Sequence, residues 1–160
     1  MNNSVVNVPI PINEPIKDYK PNSPEKDSVL ATYKNLKDSI TNVKMWIVGK
    51  FVESSKTSNM SPPHDHKHIL GKYYLAEKKH VKMAIKSALD AKEKWAGMRW
   101  EERAAIFLKA AELVAGPYRD RINAATMLAQ SKTIFQAEID AACELVDFLK
   151  FNVYSAHIKV

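Results

Sequence analysis

A mostly α-helical fold, led by a proline-rich arm and interrupted by a short β-hairpin, is predicted by three observations. Residues 1–22 hold Pro9, Pro11, Pro15 and Pro21, which remove backbone donors and keep the chain extended. The apolar runs 45–48 and 51–52 flank Gly49 and Lys50, the pattern of a hairpin with glycine at its first turn position. From Glu77 onward apolar residues recur at steps of three and four, the spacing of a helix face. The expected organisation is an extended arm over 1–22 and one helical unit over 23–160.

Each element has a local reason. Ser23-Pro24-Glu25 starts the first helix, with a serine cap, a proline that needs no donor there and an acid at the positive dipole end. Val29, Tyr33, Leu36 and Ile40 mark its buried face to about residue 41. Residues 53–63, rich in Ser, Lys, Asn and Pro, read as a loop, and 68–75 as a strand. A helix from Glu77 presents Val81, Ile85, Ala88 and Leu89 and stops at Gly97. The next, 100–115, would bury Ile106, Ala110, Leu113 and Val114 before Gly116-Pro117 ends it. Another carries Ile122, Ala125, Met127 and Leu128 to about Gln130.

The closing helix, 133–154, is the strongest signal. Thr133 and Gln136 form a capping-box pattern, and Phe135, Ile139, Ala142, Val146, Leu149 and Val153 lie on one face. Ala141, Leu145 and Phe148 widen that face, so the helix calls for protein on several sides. A chain of this length is expected to leave part of it uncovered.

Composition narrows the function classes. The chain has 160 residues, 46% hydrophobic and 26% charged, which is ordinary for a globular domain. The net charge of +6 is concentrated in residues 61–100, where 9 basic side chains meet 4 acidic ones. Lys78, Lys79, Lys82, Lys86, Lys92 and Lys94 account for most of this, and they read as a solvated helix face, since no aromatic RNA-binding pattern accompanies them. No nucleic acid is expected as a partner. No stretch approaches about 20 apolar residues, so no membrane partner is expected either. The N-terminus lacks the pattern of a secretory signal.

Four constellations bear on chemistry. His64, His66 and His68 around Asp65 offer imidazoles of the kind zinc takes, but a solvated loop after Pro62-Pro63 is the preferred reading and no metal site is assigned. Cys143 is the single cysteine, set among acids that disfavour a thiolate, so it reads as a buried structural thiol. With four glycines and no glycine-rich motif, a phosphate-cradling loop is not expected. Glu144 shares a helix side with Asp140, Asp147, Phe148 and Phe151, a carboxylate beside aromatic rings. Such a group binds cations or amines when it binds anything, although residues alone favour an idle rim position.

Several segments resemble the N-terminal part of Δ1-pyrroline-5-carboxylate dehydrogenases, the glutamate-semialdehyde members of the aldehyde dehydrogenase superfamily. They are Asn13-Glu14-Pro15-Ile16, Ser23-Pro24-Glu25, Val48-Gly49-Lys50, 102–111 and 136–145. The resemblance implies an α/β parent enzyme of which these residues form the leading helical part, incomplete as a cofactor-binding domain. It implies NAD-dependent oxidation of glutamate γ-semialdehyde to glutamate in proline catabolism, by a cysteine nucleophile with a hydride acceptor. On this likeness the nucleophile, the catalytic glutamate and the NAD site belong to polypeptide after Val160. No catalytic, cofactor-binding or metal residue is therefore expected in this chain, which alone would be inactive. Glu144 matches a glutamate near the substrate's amino end and becomes a substrate-binding candidate, with Phe148 one turn on as pocket wall. Ser131 departs from the family's glycine before the lysine, which bears on the turn there. The likeness further implies a small-molecule substrate and a homo-oligomer, dimer or larger. The absence of an Arg-rich transit pattern points to a cytoplasmic setting, with the mitochondrial matrix as alternative. Competing readings are a non-catalytic helical interaction or assembly module, and a metal-binding module using the three histidines.

Overall fold

The computed structural model describes residues 7–158. Residues 1–6 of the expected arm and 159–160 of the expected helical unit lie outside the described residues. Residues 7–22 form neither helix nor strand and lead into α1 (Pro24–Asp38). Five short strands follow, β1 (Thr41–Val43), β2 (Met45–Ile47), β3 (Lys50–Val52), β4 (Thr57–Met60) and β5 (Gly71–Tyr74). The rest is helical: α2 (Lys78–Gly97), α3 (Trp100–Ala115), α4 (Arg119–Gln130), α5 (Ile134–Ala137), a π-helical segment (Glu138–Cys143) and α6 (Glu144–Ile158).

The caps act as the residues dictate. The Ser23 hydroxyl accepts from the Lys26 amide at 3.4 Å, with Pro24 at the first helical position. Thr133 and Gln136 close the expected capping box at the start of α5. Helix α1 buries Val29 and half-buries Tyr33 and Leu36, but it ends at Asp38, so Ile40 falls outside the helix and is exposed.

The β portion is larger than a hairpin. Strands β2 and β3 pair antiparallel, with Ile47 opposite Lys50. The turn is therefore Val48-Gly49, one residue earlier than expected. Both residues have positive φ, 54° and 70°, the mirror-image turn whose twist matches the flanking strands. A second sheet has the order β1-β5-β4, with β1 parallel and β4 antiparallel to β5. Strand β4 lies inside the expected loop 53–63. Its residues Thr-Ser-Asn-Met carry no apolar alternation, and only the backbone pairing with β5 makes them a strand. The expected strand over 68–75 contracts to four residues. Gly71 is required there: a Cβ would stand 1.8 Å from the Thr41 carbonyl oxygen, so any side chain would push β1 off β5.

Helices α3 and α6 pack together, as do α1 and α4. Small residues at the seams, Ala111, Ala124, Ala137 and Ala142, are buried with Leu128, Val146 and Val153. The predicted faces are only partly covered. On α2, Val81, Ile85 and Leu89 are 50%, 55% and 63% exposed; that helix is held at its first turn through buried His80 and near its end through Trp95, whose ring meets that of Phe107 at 6.5 Å. Ile106 and Leu113 of α3 are exposed as well, and Ala111 takes the buried position instead. In α4, Ala124 and Leu128 are buried whereas Ala125 is exposed. Periodicity marks where a face is; the neighbours decide whether it is covered.

The closing helix is not one continuous α-helix. The π segment adds a residue to the turn, which at 3.6 residues per turn rotates the buried face by about 100°. Before it Phe135 is 55% exposed and Ala137 is fully buried; within it Glu138 and Ala142 are buried, and beyond it Val146 and Val153 face inward as expected. Leu145 and Phe148 remain exposed, so the closing helix does present uncovered apolar surface.

The two glycines Gly71 and Gly97 should respond oppositely to alanine. Gly71→Ala is expected to lower the urea midpoint sharply through the clash with Thr41. Gly97→Ala, with nothing within 4 Å of the added Cβ, should be neutral or gain up to about 1 kcal/mol. Equal effects at both sites would contradict the β1–β5 register.

Candidate functional site on the closing helix

The site is built on a buried ionic knot. Glu138, at the first position of the π segment, is fully buried. Its carboxylate accepts from the Lys17 amide at 2.8 Å, the Tyr19 hydroxyl at 2.7 Å, Asn123 Nδ2 at 2.7 Å and the Arg119 guanidinium. Arg119 opens α4 and is also buried; it donates to Glu14 at 2.7 Å and to the Pro15 carbonyl at 2.7 Å. Lys150 of α6 donates to the second Glu14 oxygen at 2.9 Å. Three parts of the chain, the arm, α4 and the closing helix, thus meet on two carboxylates and two cations. Burial opposes the charged form of Glu138, but the hydrogen bonds from Arg119, Lys17, Tyr19 and Asn123 outweigh it and bring the carboxyl down to about 2. Burial and then the Glu138 charge push the Cys143 thiol up to about 11, so this buried thiol is protonated at neutral pH. Its sulfur lies 3.3 Å from Arg119 Nη2, as a packing member of the knot.

The knot holds the arm against α6, and a cleft opens beside it. Asp147 of α6 accepts from Asn13 Nδ2 and from the Glu14 amide, both at 2.7 Å, so each of its oxygens is engaged. The cleft encloses about 330 Å³ and is lined by Asn13, Glu144, Asp147, Phe148 and Phe151. Glu144 and Phe148, the two sequence candidates, stand one turn apart on its wall and are both exposed. Glu144 takes part in no ion pair among the described residues, whereas its helix neighbour Asp140 is engaged by Lys132 at 2.6 Å. The arrangement offers one free carboxylate, aromatic walls and a floor whose acid is already satisfied. Chemically it suits a cation that is small or carried at the end of a short chain.

The other candidates separate. His64 Nδ1 lies 2.7 Å from Ser131 Oγ, and His68 Nε2 lies 2.7 Å from the Lys37 carbonyl, so the two rings serve different elements. Among the described residues no group of three or more His, Cys, Asp or Glu is placed to hold a metal. Ser131 adopts the left-handed conformation, φ 56°, and its hydroxyl meets His64. A serine therefore fills the turn for which glycine was expected. The lysines of α2 face solvent, with Lys86 paired to Asp90 at 2.8 Å. Among the described residues no helix is long and apolar enough to cross a membrane.

Sequence reasoning missed the knot and the cleft's arm residue, Asn13. Two signals were present. Glu138 sits four residues before Ala142, on the face that becomes buried, where an acid is costly unless paired. Asn13-Glu14-Pro15-Ile16 is also one of the segments that carry the family resemblance.

The chain belongs to the aldehyde dehydrogenase family, whose profile matches residues 51–158. A probable delta-1-pyrroline-5-carboxylate dehydrogenase of Schizosaccharomyces pombe is 43% identical over 141 residues, spanning 88% of this chain and 26% of that protein. The mitochondrial delta-1-pyrroline-5-carboxylate dehydrogenase of Homo sapiens is 39% identical over 140 residues, 88% of this chain and 25% of that one. The crystal structure of the enzyme of that name from Mycobacterium tuberculosis, bound with NAD and cobalamin, superposes with a TM-score of 0.96 at 41% identity, covering 99% of this chain and 30% of that one. A Thermus thermophilus structure at 21% identity and TM-score 0.87 shares the fold. The chain spans about a quarter of the length of the curated relatives it matches. The expected aldehyde dehydrogenase fold is thus found, with this chain as a mostly helical portion of it.

Because the Glu138 carboxyl titrates near 2 when folded and near 4.5 when free, the knot stabilises the fold fully above about pH 4.5 and progressively less as pH falls towards 2. Arg119→Met, which strands the buried Glu138 charge, should cost about 3–5 kcal/mol in urea unfolding at pH 7, and the deficit should shrink as the pH is lowered through that window. A pH-independent deficit would contradict the ionic account.

Proposed function

We propose that this chain is the leading part of an NAD-dependent dehydrogenase that oxidises L-glutamate γ-semialdehyde, in equilibrium with Δ1-pyrroline-5-carboxylate, to L-glutamate in proline catabolism. The supporting observation is the unpaired Glu144 carboxylate beside Phe148 and Phe151, in a chain 41% identical to a structure carrying that enzyme name. The open-chain substrate has an ammonium group near one end and the aldehyde at the other. Glu144 would pair with the ammonium while the phenyl faces shed water and favour the cation, leaving the aldehyde directed away from α6. Asp147 would not compete for it, since Asn13 and the Glu14 amide already occupy its oxygens.

On this reading the NAD site belongs to further polypeptide. Gly49 lies in a hairpin turn, Gly71 in a strand, Gly97 in the last turn of α2 and Gly116 at the C-terminus of α3, so no glycine opens a helix towards a pyrophosphate. The buried, protonated Cys143 does not supply a nucleophile. Nucleophile and cofactor site would come from further polypeptide, in a homo-oligomer, and the 160-residue chain alone is expected to be inactive. For location we favour the cytoplasm, with the mitochondrial matrix as alternative. The uncovered apolar stripe of α2 supports a second reading, a helical assembly module derived from the enzyme, in which that stripe meets a partner.

The 160-residue chain, supplied with Δ1-pyrroline-5-carboxylate and NAD, should form no NADH, and the product of the complete reading frame should form it. In that longer protein Glu144→Ala should lower kcat/KM by about 10- to 100-fold, mainly through KM, as loss of one charge-assisted contact predicts. An unchanged kcat/KM would remove Glu144 from the site, and a frame that stops at Val160 would favour the assembly module.

A further inference from the structure

A second concavity lies on the other side of Phe148. Between the end of α2, α3 and α6 a groove of about 400 Å³ is walled by Trp95, Trp100, Phe107, Leu145 and Phe148. Its surface is apolar apart from Asn152 and one charged side chain. Arg103 of α3 lines it, and the Nε–H of that guanidinium is buried with no hydrogen-bond partner among the described residues. A buried donor left unmade costs about 1–3 kcal/mol, more when it is charged, so an acceptor brought to this guanidinium would be favoured. The apolar walls are equally unfinished: Phe107, Leu145 and Phe148 are 43%, 42% and 60% exposed. Trp100 is held in place by stacking on His157, with ring centroids 5.2 Å apart, so the groove is a preformed shape.

We infer that this groove is the seat of an apolar polypeptide segment bearing one carboxylate, which pairs with the Arg103 guanidinium while its apolar flanks cover the tryptophans and Phe148, and that the segment comes from further polypeptide of the same protein. The chemistry of the occupant follows from the groove: a lone guanidinium in an aromatic trough selects an acid flanked by greasy residues over a neutral or basic one. The source follows from extent, because relatives that match this chain are about four times its length. This last step rests on the proposed function, whereas the carboxylate preference does not. Since Phe148 walls both the groove and the Glu144 cleft, seating the segment would also fix one wall of the cleft. Arg103 would then be a positioning residue.

The test uses two probes of matched shape, 1-naphthylacetate and neutral 1-naphthylethanol, read by quenching of tryptophan emission. On the 160-residue chain the carboxylate should bind at least about fivefold more tightly than the alcohol, the preference should vanish in Arg103→Gln and persist in Arg103→Lys. Circular dichroism of each variant confirms that the helices remain. No preference in the wild type, or a preference that survives Arg103→Gln, overturns the assignment of Arg103. In the product of the complete reading frame the groove should be filled and both probes should fail to bind. Binding that persists there would make the groove a small-molecule pocket and overturn the polypeptide occupant. The probe preference is measured without substrate or NAD, so its outcome is separable from that of the enzyme reading.

Discussion

The contact between Arg119 and Glu138 carries the architecture. Neither side chain can stay charged in the interior without the other, and together they are not self-sufficient: Glu138 needs the Lys17 amide, Tyr19 and Asn123, and Arg119 needs Glu14 and the Pro15 carbonyl. Every one of those partners except Asn123 belongs to the arm. An extended, proline-rich strand with no sheet to join is therefore held by the one thing the helices cannot supply to themselves, hydrogen bonds to a buried ion pair. The cost of burying the charges is offset only when the arm is in place, which makes docking of the arm and closure of the seam between α4 and the π segment one event.

The same contact coincides with the π segment. Glu138 is its first residue, and the extra residue in the turn rotates the face upstream of the segment relative to that downstream, so that Glu138 points at Arg119 while Ala142, Val146 and Val153 stay buried and α6 packs on α3. Further along, Asp147 ties Asn13 and Lys150 ties Glu14 to α6. The cleft holding Glu144 and Phe148 is the gap left beside those ties. Its geometry thus depends on an interaction one and a half turns away, and its aromatic wall is shared with the groove around Arg103.

Exposed apolar residues lie on α2, α3 and α6, and also on the arm and the hairpin, where Ile10, Ile12, Trp46 and Phe51 are 77%, 74%, 63% and 70% exposed. Uncovered apolar surface is thus spread over several elements and not confined to one side. The chain spans about a quarter of the length of the curated relatives it matches, and the proposed reading supplies further polypeptide to cover such residues.

What the residues determined alone was local. The caps at Ser23 and Thr133, the proline at 24, the stop at Gly116 and the helical period after Glu77 are interactions over three or four positions, and they appear where the sequence puts them. The pairing of Glu144 with Phe148 is of the same kind, being one turn of helix. Tertiary structure decided the rest. Strand β4 exists because β5 offers it hydrogen bonds, the turn at Val48-Gly49 was chosen by strand twist, and Val81, Ile85 and Leu89 are bare because nothing in the described chain reaches them. Arg119, Glu138 and Glu14 looked like three ordinary surface charges spread over 125 positions of sequence; only folding brings them within 3 Å, where low dielectric turns them from solvated groups into the tie that holds the arm.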